Sequence, residues 1–191
     1  MSAQSRDDLK KKSEQRVNQI DAWIEKNPNC LIEGRQHNAF YQGKDERLDV
    51  FELPRFLLRL NPNNWRFRAE FAPLKEERLK LGKSIELDSD NEDDVKAIRD
   101  LLMGIKPKNQ QRKDRYNSLK KDFTTNSKNG GNGQDTPGII LWDGIYVNGN
   151  RRDTILEELS KDPPKGCRPS QFQIILVARL PKDTTALDIK A

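Results

Sequence analysis

The chain has 191 residues, 34% of them hydrophobic and 34% charged, with 35 Lys and Arg against 30 Asp and Glu. Ordinary domains carry about 25% charged residues, so a core is expected for only part of the length, the rest being solvated helix and loop. No stretch approaches the roughly 18 apolar residues of a membrane-spanning helix, which excludes a helical membrane protein. Runs such as FELPRFLLRL and FQIILVARL exclude a wholly disordered chain.

The opening MSAQSRDDLKKK is polar and charged, unlike a secretory leader, and predicts a cytoplasmic, reducing location. Ser5 to Lys26 predicts an amphipathic helix, with Leu9, Val17, Ile20, Trp23 and Ile24 at helical spacing and Asn27-Pro28 at its end. Cys30 to Arg47 is mixed and broken by Gly34 and Gly43. Residues 1–47 therefore read as an N-terminal helical extension, which either covers an edge of the core or docks a partner protein or a second copy. A main domain is expected over 48–191.

Asp49 to Leu53 alternates as a short strand. Pro54 starts a helical turn carrying Phe56, Leu57 and Leu60, and Asn61-Pro62-Asn63-Asn64-Trp65-Arg66 is a turn by composition. Residues 70–87 read as helical or mixed. Asp90 is expected to open a helix with Val95, Ile98, Leu101 and Leu102 on its apolar face and acids in its first turn. Asn109 to Phe123 predicts a basic helix with Tyr116, Leu119 and Phe123 on one side.

Charge is unevenly spread along this stretch. An acidic block from Ile85 to Asp100 precedes a basic block from Lys106 to Lys128. The two either pair with each other or leave a basic face for phosphate or nucleic acid. Asn126 to Gly133 has no apolar residue and reads as a flexible loop, either a mobile lid or a tolerated insertion. Gly138 to Asn148 predicts a tight hairpin turned by Trp142-Asp143-Gly144. Asp153 to Ser160 predicts a helix, Phe172 to Ala178 a buried strand, and residues 184–191 the start of a further helix, as though the domain were cut from a longer chain. The expected class is α+β, a small mixed β-sheet flanked by helices.

Chemistry concentrates at the hairpin's exit. In Asp143-Gly144-Ile145-Tyr146-Val147-Asn148-Gly149-Asn150-Arg151-Arg152 a strand runs into Gly149 and a helix follows. Backbone N–H groups at a helix start, the positive end of its dipole and two guanidinium groups all favour an anion, and Gly149 permits close approach. Two arginines at this end repel the dipole unless an anion offsets them; the plain alternative is two solvated arginines. Cys30 and Cys167 match no metal-ligand spacing, and His37 is the single histidine. Together these exclude most zinc sites and any histidine-dependent nucleophile. No metal site is expected from protein ligands. Trp23, Trp65 and Trp142 read as base-stacking or core residues, and the basic helix as a DNA-phosphate or solvated face.

The arrangement resembles the ParB/sulfiredoxin superfamily, whose strand–turn–helix carries a Gly-Glu-Arg-Arg motif, or Gly-Cys-His-Arg in sulfiredoxins; here Gly149-Asn150-Arg151-Arg152 stands in that place. Leu53-Pro54 through Asn61-Pro62-Asn63-Asn64-Trp65-Arg66 resembles the family's opening strand, short helix and Asn-Pro-x-Asn-x-Arg box. Residues 116–123 and then Gly133-Gln134-Asp135-Thr136-Pro137 resemble its segment before the hairpin. The resemblance implies a nucleotide ligand, CTP or ATP, with magnesium on its phosphates. Gly149, Asn150, Arg151 and Arg152 would hold phosphates, Gln134, Thr136 and Pro137 would lie near the base or ribose, and Asn63 and Arg66 would form the opposite wall.

The family departs from this chain in three ways. Asn150 replaces the partition proteins' glutamate and the sulfiredoxins' cysteine, so sulfinic-acid reduction has no nucleophile here. Hydrolysis would need another carboxylate, Asp143 or Glu157. The partition proteins' Glu-Asn-x-x-Arg helix is not present. The implied function is a nucleotide-binding, DNA-associated switch or NTPase in a prokaryotic or phage setting. The alternatives are a nuclease or small-molecule kinase on the same scaffold, or a non-catalytic interaction module of a DNA-modification or defence system.

Overall fold

A computed structural model describes residues 3–62, 68–106, 108–182 and 184. Among them the chain is α+β, with five α-helices and a five-stranded mixed sheet. It divides into two compact units, each assembled from separated stretches. The first holds residues 1–58, 136–149 and 174–191, the second 59–135 and 150–173.

The first unit contains helix α1 (Ala3–Lys26) and strands β1 (Leu31–Tyr41), β2 (Lys44–Pro54), β3 (Gly138–Ile140), β4 (Tyr146–Asn148) and β5 (Ile174–Arg179). The sheet order is β1-β2-β5-β3-β4. All neighbours are antiparallel except β3 and β5, which run parallel. Ala39, Tyr41, Leu48, Ala178 and Leu180 form a buried cluster, with Ile139, Leu141 and Val147 packed against it.

The structure corrects the expected helical extension. Residues 31–47 form the outer strand of the sheet and the start of β2, so the expected boundary at 47/48 falls inside a strand. Gly43 turns the chain rather than breaking it. Gln42 and Gly43 have φ of 50° and 76° between paired Tyr41 and Lys44, the signature of a two-residue hairpin loop whose twist suits the flanking strands.

Helix α1 buries Arg16, Val17 and Ile20, a narrower face than its sequence spacing predicts, with Leu9 exposed. Arg16 is held by the turn between β3 and β4. Its Nη2 lies 2.9 Å from Asp143 Oδ2 and its Nε donates to the Asp143 carbonyl at 3.2 Å, while Ser13 Oγ donates to the same Oδ2 at 2.8 Å. Gly144 allows the close approach: a Cβ there would sit 2.8 Å from Ile20 Cδ1 and 3.0 Å from the Leu57 carbonyl oxygen, at φ 81°. Trp23 meets Phe56 edge to face, ring centroids 6.2 Å apart.

The second unit contains helices α2 (Arg68–Lys80), α3 (Glu92–Leu102), α4 (Gln110–Asn126) and α5 (Asn150–Lys161). Asn91 rather than Asp90 caps α3, its side chain accepting from the Asp94 N–H at 3.1 Å. Asn109 caps α4 in the same way. Helices α3 and α4 and the short turn Pro169–Phe172 all contact α5. Ile98, Leu101, Leu102, Phe123, Ile155, Leu156, Leu159 and Phe172 are buried.

Ion pairs of the acidic block run to Arg59 from Asp90 (2.6 Å), to Arg78 from Asp94 (2.6 Å), to Lys83 from Asp93 (3.8 Å) and to Lys96 from Asp100 (3.0 Å). None of these cations belongs to the basic block. Residues 126–133 are not the expected free loop. Helix α4 continues to Asn126 and a 3-10 turn spans Ser127–Asn129. Asn126 donates to Asp135 at 3.0 Å, and Gln171 donates to the Gly131 carbonyl at 2.9 Å. The helix expected over 184–191 lies outside the described residues, Thr184 excepted.

Tyr116 on α4 donates to Glu158 Oε2 on α5 at 2.6 Å. Burial, then this bond to a carboxylate, push the phenol well above its ordinary value. An unfolded tyrosine ionises near about pH 10, whereas the folded protein keeps this proton. The resulting stability is full below about pH 10 and is lost as pH rises beyond it. Tyr116→Phe is therefore expected to melt lower than wild type at neutral pH, with the gap narrowing between about pH 9 and 11; a constant gap in thermal melts over that range contradicts it.

Candidate functional site

Strand β4 ends at Asn148, Gly149 follows, and α5 begins at Asn150, three residues earlier than the sequence predicts. In the first unit, Gly149 adopts φ 128° and lies backbone to backbone with Gly138. A Cβ on Gly149 would come within 3.2 Å of Gly138 Cα and 3.1 Å of Tyr146 Cδ1; one on Gly138 would meet the Asn148 carbonyl oxygen at 3.0 Å. Two glycines thus let the strand starting at Gly138 press against the end of β4. Thr136, exposed, and Pro137, buried, precede this contact in the chain.

In the second unit, Asn150 is 2% exposed. Its Oδ1 accepts from the backbone N–H of Asn61 at 3.0 Å, and its Nδ2 donates to the Asn61 carbonyl at 3.5 Å. The side chain expected to touch phosphate is therefore engaged with the backbone two residues before Asn63. Asn63 and Arg66 themselves lie outside the described residues. The amide fits this task because it offers one acceptor and one donor to the backbone N–H and C=O of a single residue. A glutamate or cysteine offers no such pair. Thr154 Oγ1 completes the turn by donating to the Asn150 carbonyl at 3.0 Å.

Arg151 and Arg152 are half-buried, and each interacts with another group of the chain. Neither is the fully solvated residue of the plain alternative. Asp153, buried in the same turn, supplies negative charge where the helix dipole favours it. Arg99 Nη2 lies 3.8 Å from Asp153 and 3.7 Å from Glu157. The repulsion expected of two arginines is thus partly offset within the chain by a carboxylate that sequence reasoning passed over. The acid in the first turn was visible; its partner on α3 was not.

Gln134 is buried, and its backbone N–H donates to Asn132 Oδ1 at 3.0 Å. The two carboxylates considered for hydrolysis are both engaged. Asp143 is bound by Arg16 and Ser13, and Glu157 by Lys161 at 2.8 Å as well as Arg99. Among the described residues no group of three or more His, Cys, Asp or Glu is arranged to hold a metal ion, and no helix is long and apolar enough to cross a membrane.

No protein-family model, curated protein or solved structure matches this chain.

Proposed function

We propose that the chain is a nucleotide-binding domain of ParB/sulfiredoxin type, with the phosphates of CTP or ATP received at the first turn of α5 and the protein working as a DNA-associated switch. The observation that carries this reading is the Asn150–Asn61 pair. It joins the first residue of α5 to the segment leading into Asn63 and Arg66, 89 residues away in sequence. These are two of the boxes on which the resemblance rests, and they are joined by both polar atoms of one buried side chain.

Each residue then has a stated part. Gly149, at positive φ, is the residue at which the chain leaves β4 for α5, a conformation that glycine adopts without strain. The α5 backbone N–H groups at 151–153 and the Arg151 and Arg152 guanidinium groups would receive phosphate oxygens. Asn150 positions rather than binds. Gln134, Thr136 and Pro137 remain the proposed neighbours of the base or ribose, and Asn63 and Arg66 of the far wall. The nucleotide supplies the negative charge that the helix end and paired arginines favour. Magnesium, if it accompanies the nucleotide, would be held by the phosphates, since the described residues offer no cage for it.

A second reading, a binding module without turnover, is favoured by one observation. The carboxylates considered for hydrolysis, Asp143 and Glu157, already serve ion pairs, as does Asp153 in the first turn of α5. A nuclease or kinase on this scaffold has no such support.

Thermal shift tests the proposal. A nucleotide at ten-fold excess over its dissociation constant is expected to stabilise the protein by about 1.4 kcal/mol. Arg152→Ala is expected to remove that shift while leaving the protein folded, as read by its circular dichroism. An undiminished shift in the variant, or no shift with either nucleotide, refutes phosphate binding at α5. Phosphate release then separates an NTPase from a module without turnover.

A further inference from the structure

We propose that two copies of the chain pair edge to edge through β1, antiparallel about a two-fold axis at Asn38, so that their sheets join into one. The inference does not rest on nucleotide binding at α5.

Strand β1 lies at one edge of the sheet, with β2 as its neighbour. The register between them decides which backbone groups are left over. The loop Gln42-Gly43 is two residues long, so the flanking Tyr41 and Lys44 form a hydrogen-bonded pair, and such pairs alternate along the ladder. Tyr41, Ala39 and His37 therefore give their N–H and C=O groups to β2. Those of Phe40, Asn38 and Gln36 point away from the sheet, and among the described residues no backbone group meets them.

A free edge is common; the composition of this one is not. Natural edges are blunted with lysine, proline or other charged residues. Gln36–Tyr41 holds no Lys, Arg, Asp, Glu or Pro, in a chain that is 34% charged. Phe40 stands on this edge 49% exposed, apolar area that a neighbouring strand would cover. The regular edge is also bounded. A bulge between Leu31 and Gln36, with Gly34 at φ 71°, ends it on one side, and the Gln42-Gly43 turn ends it on the other.

These bounds choose the occupant and the register. Only outward-facing residues can exchange hydrogen bonds across the seam. Asn38 opposite the second copy's Asn38, with Gln36 opposite Phe40 on either side, uses every outward residue of both edges and makes about six main-chain bonds. Any other register of the same parity loses at least one of these pairs. This register also sets the Asn38 amides against each other, lays Phe40 on the Gln36 amide, and places Arg35 opposite Tyr41 and His37 opposite Ala39, so no like charges face each other. The other edge of the sheet, β4, is three residues long. It is too short to receive β1 head to tail, so the seam closes as a two-fold dimer rather than a filament. A seam of one strand is small for a specific interface, which makes the dimer concentration-dependent.

The test is sedimentation velocity of the full chain between about 5 and 500 μM, with backbone amide exchange read by NMR at both ends of that range. The expected result is a shift from the mass of one chain to twice that mass. Exchange at the Gln36, Asn38 and Phe40 amides should slow at least about ten-fold with it, while His37 and Ala39, already bonded to β2, change little. Asn38→Pro removes an outward N–H and no bond to β2, which an edge strand tolerates, and is expected to weaken dimerisation at least about ten-fold. Phe40→Lys leaves the backbone donors in place and sets a charge on the edge, with the same expected loss. Leu81→Lys, exposed in the second unit, makes the same change in net charge and should leave the dimer within about two-fold. A chain that stays monomeric at about 500 μM overturns the proposal. So does a dimer that both β1 variants leave intact, or one in which the Gln36, Asn38 and Phe40 amides exchange as fast as in the monomer.

Discussion

Replacing Asp143 with alanine is expected to destabilise the protein by about 3–5 kcal/mol. Arg16 is 9% exposed and Asp143 5%, so the variant leaves a buried guanidinium without its carboxylate and strips the Ser13 hydroxyl of its acceptor. An exposed ion pair would be worth under about 1 kcal/mol; the difference comes from desolvation, since a buried charge that loses its partner has no water to turn to. Arg16→Leu combined with Asp143→Ala removes both charges and is expected to cost less than Asp143→Ala alone, because no uncompensated charge remains. Urea unfolding midpoints at constant slope measure both. A cost under about 1 kcal/mol for the single variant would show that α1 is held by its apolar face alone.

Gly133→Ala is expected to cost about 3–4 kcal/mol. Gly133 has φ 79°, and a Cβ there would overlap the carbonyl oxygen of Phe123 and lie 2.9 Å from its carbonyl carbon. Phe123 is buried, so its backbone has little freedom to withdraw. Gly131 provides the control. Its φ is 72°, yet nothing lies within 4 Å of the position a Cβ would take. Gly131→Ala thus pays the backbone penalty alone, about 1–2 kcal/mol. Equal melting temperatures for the two variants would mean that the chain after α4 can shift away from Phe123, and that its approach there is not fixed.

What the sequence made legible was local. Helix α3 was readable because its apolar residues recur at one period and acids crowd its first turn. The β3–β4 hairpin was readable because Asp143-Gly144 is a turn signal between two short apolar runs. Strand β1 was not readable. Burial alternates from Arg35 to Tyr41, but the inward positions are Arg35, His37, Ala39 and Tyr41, so the residue types carry almost no apolar alternation to follow, and a Gln-Gly turn is a weaker hairpin signal than Asn-Gly.

The candidate site divides along the same line. The strand–glycine–helix order at Gly149 could be read from neighbouring residues. The use of Asn150 could not, because its partner is 89 residues away and a buried asparagine is defined by what it bonds. Asp143 is the mirror case. A carboxylate in a turn looked available for chemistry until its partners 127 and 130 residues away were known.

The strand order carries a consequence for how the molecule assembles. Strand β5 is the last of the described strands along the chain, yet it is the middle one of the sheet, lying between β2 and β3. Before it is made, the β1–β2 hairpin and the β3–β4 hairpin have no strand to join them, and each presents an open edge. Synthesis from the N-terminus therefore yields two separate ribbons, and the sheet forms when β5 slots between them like a keystone. Pairing Val50 with Ala178 closes a very long loop, so this step is expected to be slow, and the unjoined edges leave the nascent chain open to pairing with other chains until it is done.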